Sequence, residues 1–175
     1  MTDAAPATEP VDVEHVQHVL AMLRERLYGA ISCLATLAIL ARYSDEETNA
    51  LARILDVAVA TGGLWAASLL SHFVAQMAVF GKAPRGRHWI QLLQASGQIL
   101  WAAVPPVIVL LLAVFDVLDT DTAMWIGMWT LVGELGVIAF LAMRRTRLPG
   151  WQQAISVAGL VALGLLVVGI KTLAH

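Results

Sequence analysis

Residues 54–80, ILDVAVATGGLWAASLLSHFVAQMAVF, decide the fold class. At 1.5 Å per residue a helix of this length reaches about 40 Å, and the hydrocarbon core of a bilayer is about 30 Å thick. The stretch therefore predicts a membrane-spanning helix. Within it Thr61, Trp65, Ser68, His72 and Gln76 recur at steps of three or four and share one side. Lipid tails have no partner for these groups, so that side is expected to face other helices. Its ordinary role is a hydrogen-bonding seam between helices, and the alternative is the wall of a polar pathway or pocket.

Composition agrees with a membrane setting. The chain has 175 residues, 59% of them hydrophobic and only 14% charged, whereas about a quarter of a soluble domain is charged. A net charge of -2 lacks the basic footprint that phosphate backbones require, so a nucleic-acid partner is not expected. The single cysteine, Cys33, lies in an apolar run and excludes an intrachain disulfide or a Cys-based metal motif.

Outward from the deciding stretch, residues 1–11 are rich in Ala, Pro, Thr and Glu and predict a disordered tail. The acidic Asp3, Glu9, Asp12 and Glu14 do not resemble the start of a secretory signal. Residues 13–27 place Val16, Val19, Leu20, Leu23 and Leu27 at helical spacing and predict an amphipathic lead-in helix. His15 and His18 stand three apart on it, but two imidazoles without a third ligand read as solvated surface. Residues 27–41 carry no charge, and Tyr28 and Tyr43 bracket them as interfacial aromatics do, which predicts a short first span. The polar run Ser44 to Thr48 reads as a turn with the N-cap of the next helix, with Arg53 and Asp56 at the mouth of that span.

Beyond Phe80, Lys82, Pro84, Arg85, Gly86 and Arg87 form a basic turn. A third span follows with Gln91, Gln94 and Gln98 on one side of its start. Pro105 and Pro106 interrupt it. The carbonyls of Trp101 and Ala102 lose their donors there, which predicts a bend whose free carbonyls are met by a neighbouring hydroxyl or by a coordinated cation or substrate. Asp116 to Thr122 form an acidic loop. In the fourth span Glu134 stands near the centre, where a charge is unfavourable by roughly 2.5 to 3.5 kcal/mol unless paired, with Thr130 one turn before it. Gly127, Gly133 and Gly136 predict close helix approach. The last span, from Trp151, carries Ser156, Gly159, Ala162, Gly164 and Gly169 and reads as a packing helix.

Eight of the eleven Lys and Arg residues fall on the side of the N-terminus, the Lys82 turn and the Arg144 turn, and three on the other. That bias predicts a cytoplasmic N-terminus and an outer C-terminus. Trp89-x-Gln91-x5-Gly97 and Trp151-x-Gln153-x5-Gly159 are offset by 62 residues, and the same offset carries His72 onto Glu134. This pattern suggests a repeated hairpin.

The expected fold is all-α, an integral membrane helix bundle in one domain, 12–175. Its five transmembrane helices lie at about 27–43, 54–80, 92–115, 123–143 and 151–173 and are preceded by the amphipathic helix. The segments RLYGAISCLATLAIL (26–40), WAASLLSHFVAQM (65–77), AAVPPVIVLLL (102–112) and VALGLLVVGIKTLAH (161–175) resemble a group of small bacterial polytopic integral membrane proteins of unassigned function. That resemblance implies a bacterial inner-membrane helix bundle and carries over no catalytic residue. No HExxH, P-loop, Rossmann or GxSxG pattern occurs, so neither an enzyme nor a cofactor is expected. Two functions are left. One is an accessory or structural subunit, whose partners are the bilayer and a second membrane protein or another copy of the chain. The other is a small proton- or cation-linked transporter or channel working through His72 and Glu134, with Ser68, Gln76, Thr130, Trp101, Pro105 and Pro106 around them.

Overall fold

A computed structural model describes residues 13–42 and 49–144, and beyond these 150–152, 154, 155, 158, 159, 161, 162 and 166. The expectations for the tail, for the side chain of His15, for Tyr43 and Ser44 to Thr48, and for Ser156, Gly164 and Gly169 lie outside the described residues.

The described chain is helical and, among the described residues, has no strand. Its main elements are α1 (Val13–Arg42), α2 (Ala50–Phe80), α3 (Arg87–Val114) and α4 (Thr120–Arg144). Three of them, α2, α3 and α4 through Leu141, are long and apolar enough to cross a membrane.

The residues expected to form a lead-in helix and a separate first span form one element, α1, which is not among the three helices apolar enough to cross a membrane. No break occurs at Leu27, and α1 is continuous for 30 residues. Its sequence from His18 to Arg42 contains neither proline nor a turn motif, and the single Gly29 is used for packing. The change from mixed to apolar composition therefore alters the surroundings of the helix without ending it.

The cap of α2 is Asn49, not a residue of the preceding polar run. Its side-chain oxygen accepts from the Leu51 N–H at 2.9 Å, satisfying one of the donors that every helix start leaves open. The helix consequently begins one turn earlier than the apolar run suggests. Gly81 ends it in the left-handed region at φ 63, with its N–H donating to the Met77 carbonyl, and Gly86 at φ 58 turns the chain into α3. The basic turn is thus real, and α3 starts at Arg87, at the head of the glutamine run.

Asp119 caps α4. Its carboxylate accepts from the Thr122 N–H at 2.8 Å, and that hydrogen bond holds its pKa below the ordinary carboxylate value.

Contacts fix the register. Gly29 meets Ile99 and Ala102, whereas Gly127 meets Pro106 and Leu37. Glu25 and Ser96 both meet Ser68, Gly29 meets Ile99, and Leu37 and Pro106 both meet Gly127, so the offset between α1 and α3 stays at about 70 residues along the pair and the two helices are parallel. Ser68 with Ser96, and Phe73 edge-on to Trp89 at 6.1 Å between ring centroids, make α2 and α3 antiparallel. The α1/α3 pair is central, with α2 and α4 each packed against both of its members. Leu34 and Leu37 of α1, Leu110 of α3, and Met124, Met128, Leu131 and Leu135 of α4 are fully buried in one core cluster, and Ile99 is buried against Gly29. By contrast only 11% of the apolar window of α2 is buried.

The helix α3 runs unbroken through Pro105 and Pro106. Pro106 is buried, and a Cβ at Gly127 would lie 3.3 Å from its own Cβ. The proline ring thus serves packing between α3 and α4. Of the three α4 glycines, Gly127 admits this contact and Gly136 faces Val161, but Gly133 looks into open space. Among the described residues nothing approaches Gly133, which is exposed.

Candidate functional site

The polar chemistry of the bundle collects on three successive residues of α1, Arg24, Glu25 and Arg26. Successive residues of a helix point about 100° apart, so this short stretch reaches α2 on one flank and α4 on the other.

Toward α4, the Arg26 Nε–H donates to Glu134 Oε1 at 2.7 Å. The Glu134 side chain is 11% exposed and that of Arg26 38%. The other carboxylate oxygen, Oε2, is buried and has no hydrogen-bond partner among the described residues. Glu134 is therefore the paired deep carboxylate that its sequence position demanded, with Arg26 as the countercharge.

Toward α2, Glu25 is buried. Its Oε2 accepts from the Ser68 hydroxyl at 2.7 Å and its Oε1 from Arg24 Nη2 at 3.0 Å. The same Nη2 lies 3.2 Å from His72 Nε2, and His72 Nδ1 lies 2.9 Å from the Ser68 carbonyl. A guanidinium only donates, so this network assigns Nε2 as the acceptor and places the ring proton on Nδ1, where it donates to Ser68. Glu25 Oε1 stands 3.8 Å from His72 Nε2. Ser96 of α3, fully buried, brings its hydroxyl to 3.4 Å from that of Ser68.

A groove of about 420 Å³ opens beside this network between α1 and α2. Arg24, Glu25 and Tyr28 line it from α1, with Leu64, Ala67, Ser68, Ser71 and His72 facing them from α2. From Leu64 to His72 it covers only about 12 Å along the helix.

The seam read from the sequence divides into parts. Ser68 and His72 join the network, whereas Thr61 is buried and donates to its own Val57 carbonyl at 2.7 Å. Trp65 and Gln76 are half-buried. On α4 Thr130 likewise donates to its own helix, at the Ile126 carbonyl. Hydroxyls bonded one turn back need no partner helix. Trp101 faces outward, and neither it nor Pro105, Pro106 or Thr130 lines the groove. His72 and Glu134 are joined to different residues of α1, and Glu134 does not line the groove.

Sequence reasoning missed Arg24, Glu25, Arg26, Ser71 and Ser96. The signal was present in the Arg-Glu-Arg triplet directly before an uncharged run. Once α1 is one helix, that triplet lies about 24 Å below its Arg42 end, well inside the bundle. Among the described residues no three His, Cys, Asp or Glu side chains gather as a metal site.

Fold and site together define a helical bundle of membrane type with a charged network inside it. No family model matches the chain, and no curated protein or solved structure matches it either.

Proposed function

We propose that the chain is a five-span accessory or structural protein of a bacterial cytoplasmic membrane, with its N-terminus inside and its C-terminus outside. One observation carries this reading over transport. The groove at His72 spans about 12 Å of a core about 30 Å thick, and toward the Arg42 end the α1/α3/α4 interface is closed by fully buried Leu and Met side chains. Arg26 and Glu134 pair with each other, and Glu25 is held by Ser68 and Arg24. These charges act as clasps between helices. The helical residues between 150 and 166, with Val161 against Gly136, support a fifth span beside α4. His72 and Glu134, 62 positions apart, approach the same triplet from the two flanks, which supports the repeated hairpin.

Vesicles reconstituted with the full chain test the role. Proton and cation flux under imposed gradients is expected to equal that of empty vesicles. Flux above background that Glu134→Gln abolishes would replace the accessory reading with the carrier. The orientation is tested separately. A reporter after His175 is expected to be extracytoplasmic and one before Glu14 cytoplasmic, and labelling of both ends from one side would remove one crossing.

The carrier is the second reading, and the groove is the observation in its favour. His72 lines an opening in which an imidazole, a carboxylate and a guanidinium meet, the kinds of group found along ion pathways in membrane proteins.

A further inference from the structure

The groove between α1 and α2 holds a cation in an unusual position. Measured from the midpoint of α2 near Trp65, His72 and the Arg24 head beside it lie about 10 Å toward the basic end of the bundle. Half of a hydrocarbon core is about 15 Å, so this guanidinium lies short of the headgroup boundary. Its side chain is nonetheless 69% exposed. A long basic side chain in this position ordinarily stretches to the interface. Arg24 is held back, because Nη2 is bonded to Glu25 and approaches His72.

A guanidinium has five N–H donors. Nη2 is engaged, and those on Nε and Nη1 have no partner among the described residues, in a medium without water to meet them. Beside them are the exposed Ser71 and the half-exposed Tyr28, each with a hydroxyl. Leu64 and Ala67 continue the groove as apolar wall. Toward the same end, Lys82, Arg85 and Arg87 make the surroundings basic and attract anionic headgroups.

We propose that this groove binds an anionic phospholipid, with its phosphate on Arg24 beside Ser71 and Tyr28 and the start of an acyl chain against Leu64 and Ala67. The anchored arginine cannot reach the headgroup layer, so a headgroup is drawn in to it. Phosphate suits the remaining donors better than a neutral polar group would, since charge-assisted bonds from arginine to phosphate are short and strong. The inference rests on the membrane setting of the apolar helices and not on the accessory role. Flux in vesicles would therefore leave it standing.

Native mass spectrometry of the full chain in detergent, titrated with phosphatidylglycerol, tests the site. The wild type is expected to retain the lipid, while diacylglycerol with the same tails binds weakly and inorganic phosphate does not displace the lipid. Arg24→Gln should weaken binding about tenfold, the scale of one charge-assisted hydrogen bond. Because Arg24→Gln also disturbs the internal network, Ser71→Phe serves as the second variant. It fills the groove from an exposed position, leaves Glu25 and Ser68 alone, and is expected to produce a similar loss. Unchanged affinity in both variants, or equal binding of diacylglycerol, would overturn the proposal. Displacement by inorganic phosphate would overturn it in favour of a free-anion site.

Discussion

Arg26→Ala is expected to destabilise the bundle by roughly 2 kcal/mol, less than the loss of one partner of a fully buried ion pair because the Arg26 side chain is 38% exposed. The loss comes from what is left behind. Glu134 is 11% exposed, its Oε1 accepts from Arg26 at 2.7 Å, and its Oε2 has no hydrogen-bond partner among the described residues. Without Arg26 the carboxylate stays in the bundle with neither countercharge nor donor. Glu134→Gln should cost less, about 1 kcal/mol, because an amide retains a hydrogen-bond acceptor and interhelical hydrogen bonds in membranes are modest. Arg26 is also 38% exposed and can turn toward a more polar region. Replacing both residues by leucine should recover most of the loss, since a well-packed apolar pair often matches a buried ionic one. Unfolding in mixed detergent micelles, run as a double-mutant cycle, measures the pair. A wild-type midpoint for Arg26→Ala would show that the contact is not a clasp.

The legible part of this fold was its class. Long apolar runs, each with a basic turn at one end, identify α2, α3 and α4, because apolar length and scarcity of charge are the physical requirements for crossing a bilayer. The two glycines at positive φ, Gly81 and Gly86, likewise mark the α2–α3 turn. Capping was harder to read. Several residues able to cap stand between 44 and 49, and composition does not choose among them, whereas backbone geometry selects Asn49.

The site was legible in only one half of each contact. His72, Ser68 and Glu134 stand out as polar groups in apolar helices, but their partners belong to a triplet whose sequence surroundings look like a solvated face. The continuity of α1 decides their depth, and a helix without a breaker shows no internal mark of where bundle packing begins. Ser96 is similar. A serine in an apolar run is often bonded to its own backbone, and only the register of α2 against α3 places it beneath Ser68.

The central α1/α3 contact depends on Gly29, whose substitution should have the most direct geometric effect. A Cβ there would stand 2.8 Å from Ile99 Cα, 3.1 Å from the Ile99 carbonyl oxygen and 3.3 Å from Ala102 Cβ. The first two are backbone atoms of a packed helix, so no side-chain rotation relieves the overlap. Gly29→Ala must push α1 and α3 apart, at about 1 to 3 kcal/mol for overpacking a close contact, and Gly29→Val should cost more. Displacement at Gly29 also reaches the polar network, because Glu25 is one turn before it and Ser96 three residues before Ile99. The hydroxyl of Ser96 would then move away from Ser68. Gly133→Ala is the control, since no atom of the described residues lies within 4 Å of a Cβ built there and alanine favours helix over glycine. Thermal unfolding of the purified chain should therefore rank Gly29→Val below Gly29→Ala, and both below the wild type, with Gly133→Ala at or above it. If Gly29→Ala melts with the wild type, α1 and α3 do not meet at this distance, and the polar network is not held by their close approach.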